Sequence, residues 1–308
     1  MIMDSGLEVT ESPVAERPRA GRGHRMLYLA GRPSLRSFIR WVKSHSIEPP
    51  PDSEIASWWN RCNAVVKQLE VDEAGIADGT TTTPMEPQYE PLLAELLGDP
   101  LVRNGFNAVP TDIAMVELDQ LVVYQKHIDT GFGKNRAQQL GTSPDFATVF
   151  RTCLPADHPR PPVKWNRIRG NTFAFVSPSN DLRSLGPVRL DTTHFASNVS
   201  FGGAIVGVAG VAIGFGSNFL NAIQCEGRII LNNGSHRAYA LRSLGVTHVP
   251  AIVQHVRSRD ELRLAADSTI VDRADYFFKS PRPPMLRDYF DERLYVTIEG
   301  LPRMTEIR

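Results

Sequence analysis

Cysteine is scarce. The 308 residues hold three, Cys62, Cys153 and Cys225, far apart and in no CxxC pair. That spacing suggests neither a disulfide framework nor a zinc site, and it reads as reduced thiols in a cytoplasmic protein. Net charge is also missing, because 34 Lys and Arg balance 34 Asp and Glu. No overall field draws the chain to nucleic acid or to a membrane surface. The uncharged stretch 201–215 falls short of the roughly 20 apolar residues that span a bilayer. Glycines interrupt it, so it is expected to form buried strands or close-packed backbone. The first 25 residues carry Glu8, Glu11, Pro13, Glu16, Arg17 and Pro18. They lack the apolar core of a signal peptide and are expected to be a disordered tail. There is no internal repeat and no heptad pattern.

What remains is an ordinary globular composition, 42% apolar and 22% charged, with length enough for one large domain or two small ones. The region 26–105 reads as mainly helical. Ser34 opens a helix to Ser44 with Leu35, Phe38, Ile39 and Val42 on its apolar side. A second helix covers 54–70, with Ile55, Trp58, Trp59, Cys62, Val65, Val66 and Leu69 inward. Trp58 and Trp59 can stack on a base or a sugar, but at this spacing they read first as packing. Residues 72–87 form a loop rich in Asp, Gly, Thr and Pro. A short helix, Tyr89 to Leu97, is stopped by Gly98-Asp99-Pro100.

The segment 115–124 has strand composition, as does 171–176, and 177–181 reads as a turn. Residues 218–256 carry the clearest pattern. Two strands, 219–224 and 228–231, flank a turn at Glu226-Gly227. The loop Asn232-Asn233-Gly234-Ser235 follows, then a helix from His236 to Leu244 that Gly245 caps. A strand over 249–256 completes what reads as a strand–helix–strand crossover.

The physics of that loop favours an anion. The first N–H groups of a helix lack intrahelical partners and point, with the positive end of the dipole, at whatever sits before it. Gly234 permits close approach, and Ser235 can cap the helix or donate. His236 and Arg237 add donors, and arginine grips phosphate oxygens in pairs. The competing reading is a Ser-capped helix whose Arg237 pairs with a carboxylate.

The run Gly234-Ser235-His236-Arg237-Ala238-Tyr239-Ala240-Leu241, then Leu244-Gly245 and Val249-Pro250-Ala251-Ile252-Val253, resembles the ParB/sulfiredoxin superfamily (the ParB-like nuclease and nucleotide-binding domain) in a Gly-Ser-His-Arg variant. Val116 to Leu121 with Tyr124-Gln125 resembles that domain's opening strand. Gly216, Ser217 and Asn218 stand where the ParB type has its first nucleotide-contacting loop. The resemblance implies an α+β fold with a mixed sheet over 106–260, a large insertion at 130–215 and a C-terminal extension, 261–308.

It also implies a nucleoside di- or triphosphate (ATP, ADP or CTP), accompanied by Mg²⁺ held mainly by phosphates and water. Asn233, Gly234, Ser235, His236, Arg237, Gly216, Ser217 and Asn218 are then the nucleotide-binding candidates. Gln125, His127 and Asp129 are the catalytic candidates on the opposing strand, although polar residues after a strand more often form turns. No protein metal site is implied. The expected activity is phosphoryl transfer to a small-molecule or protein acceptor, or nucleotide hydrolysis. The alternative is a nucleotide-dependent binding module without catalysis. Ser235 stands at the sulfiredoxin cysteine, which argues against sulfinic-acid reduction. About 50 residues follow Val256 and offer no recognition helix, which argues against a nucleic-acid partner.

Overall fold

The computed structural model describes residues 24–32, 34–158, 160–169, 172–177, 182–191, 207–216, 218–300 and 305–307. The expected N-terminal tail lies outside them, apart from its last two residues, His24 and Arg25. The chain divides into two compact units. The larger comprises Arg22–His158 and Asn218–Pro302, and the smaller contains Pro159–Ser217.

The larger unit opens with strand β1 (His24–Leu29), helix α1 (Leu35–His45) and helix α2 (Asp52–Asp72). Ser34 caps α1 by accepting from the Ser37 N–H. Next come β2 (Thr83–Pro84), α3 (Glu90–Gly98), α4 (Pro100–Gly105), β3 (Thr111–Glu117), β4 (Val122–Val123), β5 (His127–Asp129), α5 (Thr130–Leu140) and α6 (Phe146–Cys153). The Asp99 that ends α3 starts α4 by accepting from the Leu101 N–H at 2.8 Å. The strand expected over 115–124 is broken in two. A 3₁₀ turn at Leu118–Gln120 separates β3 from β4, and the two halves lie on opposite edges of the sheet core.

The smaller unit holds β6 (Lys164–Arg169), β7 (Thr172–Val176), β8 (Leu182–Leu190) and β9 (Val208–Phe215). β8 and β9 form an antiparallel two-stranded ribbon. The expectation of buried strands over 201–215 is met only as to strand. β9 is half-exposed along its length, with Val211 at 50%, and residues 201–206 lie outside the described residues. So do residues 178–181 of the expected turn.

The larger unit resumes with β10 (Asn221–Cys225), β11 (Arg228–Asn233), α7 (Ser235–Ser243), β12 (His248–His255), α8 (Arg259–Ala265), α9 (Ser268–Asp272), α10 (Ala274–Lys279) and β13 (Tyr295–Gly300). β14 (Thr305–Ile307) belongs to the smaller unit and pairs there with β7. Glu226 at φ 51° and Gly227 at φ 77° turn β10 into β11, the left-handed pair that suits a two-residue hairpin.

The main sheet is mixed, in the order β2-β3-β12-β10-β11-β4. The molecule is therefore α+β, with the opening strands and the 221–255 segment in one sheet. The expected crossover is corrected. β10 lies between β11 and β12, parallel to β12 and antiparallel to β11. The strands on either side of α7 therefore run in opposite directions and do not touch. The hairpin occupies the place that a parallel crossover would have filled.

Alternation builds two cores on this sheet. Ala222, Ile229, Leu231 and Val123 face one side, and Ile223, Ile230 and Val122 face the other. This explains an apolar run in β11 with no polar face. A smaller sheet, β13-β1-β5, shares the first core through Leu27, Leu29 and Ile128. Its other face, Tyr28, Val296 and Ile298, packs on α1 and α2.

An ionic cluster ties the C-terminal segment to α2. Arg282 and Asp288 are 2% and 1% exposed and meet through two hydrogen bonds, of 2.8 and 2.6 Å. Arg32 also donates to Asp288 at 3.2 Å. Glu73 accepts from Arg282 at 2.9 Å and from Arg287. Burial alone would raise the Glu73 pKa, but hydrogen bonds and charge from Arg282 and Arg287 outweigh it and hold it below the usual carboxylate range. A depressed carboxyl stabilises the fold in full above its unfolded value and ceases to do so as pH falls through its folded value. Glu73→Gln is therefore expected to lower stability at neutral pH and to flatten the acid limb below the usual carboxylate range. Urea unfolding against pH checks both effects, and an unchanged acid limb would refute the assignment.

Candidate functional site

β11 runs fully buried through Ile229, Ile230 and Leu231, then reverses at Gly234. Gly234 is the N-cap of α7, at φ 100°, and provides no side-chain cap. A Cβ there would stand 3.2 Å from both Leu220 Cγ and the Arg237 guanidinium, so glycine is required on conformation and on space. The Ala238 N–H donates to the Gly234 carbonyl at 2.9 Å and closes the first turn. The cap is thus Gly234, not Ser235, because the chain reverses one residue earlier than the sequence suggested.

The side chains after it do not all face one accessible pocket, contrary to expectation. Ser235 and Arg237 are 3% and 4% exposed. Arg237 Nη1 donates to the carbonyls of Thr152 at 3.3 Å, Cys153 at 3.2 Å and Asn218. Thr152 and Cys153 end α6, where carbonyls lack intrahelical partners and the dipole is negative. Arg237 is therefore a C-cap supplied from elsewhere in the chain. Burial pushes the Cys153 thiol up to about 12 against the opposing charge of Arg237, which leaves no thiolate there. Asn233 Nδ2 donates to the Phe219 carbonyl at 2.9 Å. Asn218 thus joins the turn through its backbone. Gly216 belongs to the smaller unit, and Ser217 lies outside the described residues.

His236 is half-buried and is the one of the three that reaches outward. Its Nε2 accepts from the Asp129 N–H at 3.0 Å, which places the proton of the neutral ring on Nδ1. Phe132 meets the ring edge-on at 5.4 Å. Asp129 is the N-cap of α5, with Oδ1 accepting from the N–H groups of Gly131 at 2.8 Å and Phe132 at 3.1 Å. Its Oδ2 lies 2.8 Å from His24 Nδ1, and His24 is half-exposed. The N-terminal ends of α5 and α7 therefore meet at one point. Gly133 lets the helices close, since a Cβ there would stand 3.1 Å from the Tyr239 ring.

The other two catalytic candidates are placed differently. The His127 ring lies 5.3 Å from Trp41 of α1. Gln125 Nε2 folds onto the His127 carbonyl at 2.9 Å, and the Gln125 carbonyl accepts from Tyr289 Oη at 2.6 Å. Both read as packing around β5, while Asp129 and His236 are brought together. His24 was missed. It is 105 residues from Asp129, and no local pattern marks it.

Among the described residues no group of three His, Cys, Asp or Glu could hold a metal ion, and no helix is long and apolar enough to cross a membrane. Comparison with protein-family models, curated proteins and solved structures finds no match.

Proposed function

We propose that the chain is a nucleotide-binding enzyme of the ParB/sulfiredoxin type, which holds phosphate at the start of α7 and transfers or hydrolyses a phosphoryl group. The observation that carries this is the bare N-cap. Gly234 reverses the chain at φ 100° with no side chain to satisfy the first N–H groups of α7, and a phosphate oxygen suits that position. His236 stands beside it, oriented by the Asp129 N–H. His24, held by the Asp129 carboxylate, is the exposed group suited to take a proton from the attacking hydroxyl, whether of water or of an acceptor. Arg237 acts beneath the turn as a support and not as a phosphate ligand.

The residues do not build a cage for Mg²⁺. Asp129 is the carboxylate at this point, and its oxygens are engaged by the α5 N–H groups and by His24. A magnesium ion would arrive on the nucleotide phosphates. The second reading, a binding module without catalysis, draws support from the same commitment of Asp129 to capping.

Thermal shift with ATP, ADP and CTP, each with and without Mg²⁺, tests the proposal. Ligand at a hundredfold excess over Kd adds about 2.7 kcal/mol of stability, which should appear as a clear rise in Tm. His236→Ala should reduce the rise, and Ser235→Ala, at a buried position, should leave it nearly intact. A panel in which none of the three nucleotides shifts Tm would sink the proposal.

A further inference from the structure

A second place in the larger unit holds charged groups that do not satisfy one another. An open groove of ≈ 390 Å³ is lined by Arg25 of β1, Trp58 and Arg61 of α2, and Glu292, Tyr295 and Thr297 at β13. The start of α7 does not line it. Arg25, Arg61 and Glu292 are all exposed, yet among the described residues none of the three forms an ion pair. Nearby charges behave otherwise, since Arg293 closes on Asp291 at 2.7 Å. Opposite charges thus share one groove without meeting across it. Trp58 is half-buried against the α1–α2 core and has no ring partner among the described residues, whereas Trp41 packs on Tyr28, His45 and His127.

We infer that this groove binds a nucleobase–phosphate unit, with the base on the Trp58 ring and the phosphate between Arg25 and Arg61. Arginine grips phosphate oxygens in pairs, an indole face stacks on any base, and a carboxylate accepts from the exocyclic amine of cytosine or adenine. Each of those groups lines the groove. Burial raises the Tyr295 phenol pKa, the Glu292 charge adds to it and Arg25 opposes it, as groups sharing one groove would. Free nucleotide and single-stranded nucleic acid both present this unit.

Titration calorimetry of the full chain with CMP, AMP and a short single-stranded oligonucleotide tests the inference. Saturable binding of CMP or AMP identifies a free-nucleotide site, and binding of the oligonucleotide alone identifies a single-strand site. In either case the double variant Arg25→Ala/Arg61→Ala, changed only at exposed positions, should weaken binding about tenfold or more, equivalent to ~1.4 kcal/mol. Trp58→Phe should weaken it less than Trp58→Ala. No binding of any probe, or binding that the double variant leaves unchanged, overturns the inference. Binding abolished by His236→Ala but untouched by the double variant would overturn it and leave the α7 proposal standing.

Discussion

Asp288→Ala is expected to destabilise the larger unit by about 3–5 kcal/mol, because it removes a buried carboxylate that Arg282 and Arg32 share. Asp288 is 1% exposed and accepts from Arg282 twice and from Arg32 once. It also accepts from the Met285 N–H at 3.0 Å. Removing it leaves Arg282 with Glu73 as its remaining carboxylate, leaves Arg32 on the Arg282 carbonyl, and takes from the Met285 amide its side-chain acceptor. The control is Asp291→Ala, which breaks the Arg293 pair at a site where Arg293 is 67% exposed. Exposed pairs of that kind contribute about 1 kcal/mol or less. The consequence reaches the site. The Val123 N–H donates to the Pro284 carbonyl, the Leu286 N–H donates to the Leu121 carbonyl, and Tyr289 holds the Gln125 carbonyl at the start of β5. Guanidinium unfolding of the two variants measures the difference. A loss under about 1 kcal/mol for Asp288→Ala would show that the network is dispensable.

Local chemistry was legible in the sequence, and partners chosen across distance were not. Ser34, Gly245 and the Glu226-Gly227 turn do what their residue types require, because caps and turns are settled within a few residues. The apolar runs of β11 and β12 announced burial. They did not announce that β10 would lie between them, since pairing order depends on the whole sheet. Nor does composition show that 115–124 splits at Leu118 and sends β4 to the far edge. At the site, the strand-to-helix turn lies in the expected segment but is tighter than the pattern suggested, since β11 runs to Asn233 and α7 starts at Ser235, which leaves Gly234 alone between them. The cap moved by one residue because φ 100° is open to Gly234 and strained for Ser235. His24, Thr152 and Cys153 reach the site through tertiary contacts alone. The same limit explains Arg237, whose residue type suits phosphate and helix carbonyls equally, so that only its burial decides.

Arg237→Ala is expected to cost about 3 kcal/mol or more of stability, so its first effect is on the fold and not on a ligand. Three acceptors depend on its Nη1, the carbonyls of Thr152, Cys153 and Asn218. Each buried acceptor left unmade costs about 1–3 kcal/mol. One of them is partly protected, because Cys153 also accepts from the Leu220 N–H at 2.7 Å. A cation at a helix C-terminus adds up to ~2 kcal/mol in partly buried geometries, and α6 would lose that as well. Arg237→Lys should recover only part of the loss, since an ammonium at the end of a flexible stem lacks the fixed fork of a guanidinium. Arg242→Ala, one turn further along α7, breaks a part-exposed pair with Asp119 of 2.7 Å, and it should cost about 1 kcal/mol or less. Urea unfolding of the three variants, followed by thermal shift with ATP, ADP and CTP on whichever remain folded, orders the effects. A stable Arg237→Ala protein that fails to bind nucleotide would place the guanidinium on the ligand after all and would displace the capping role assigned to it here.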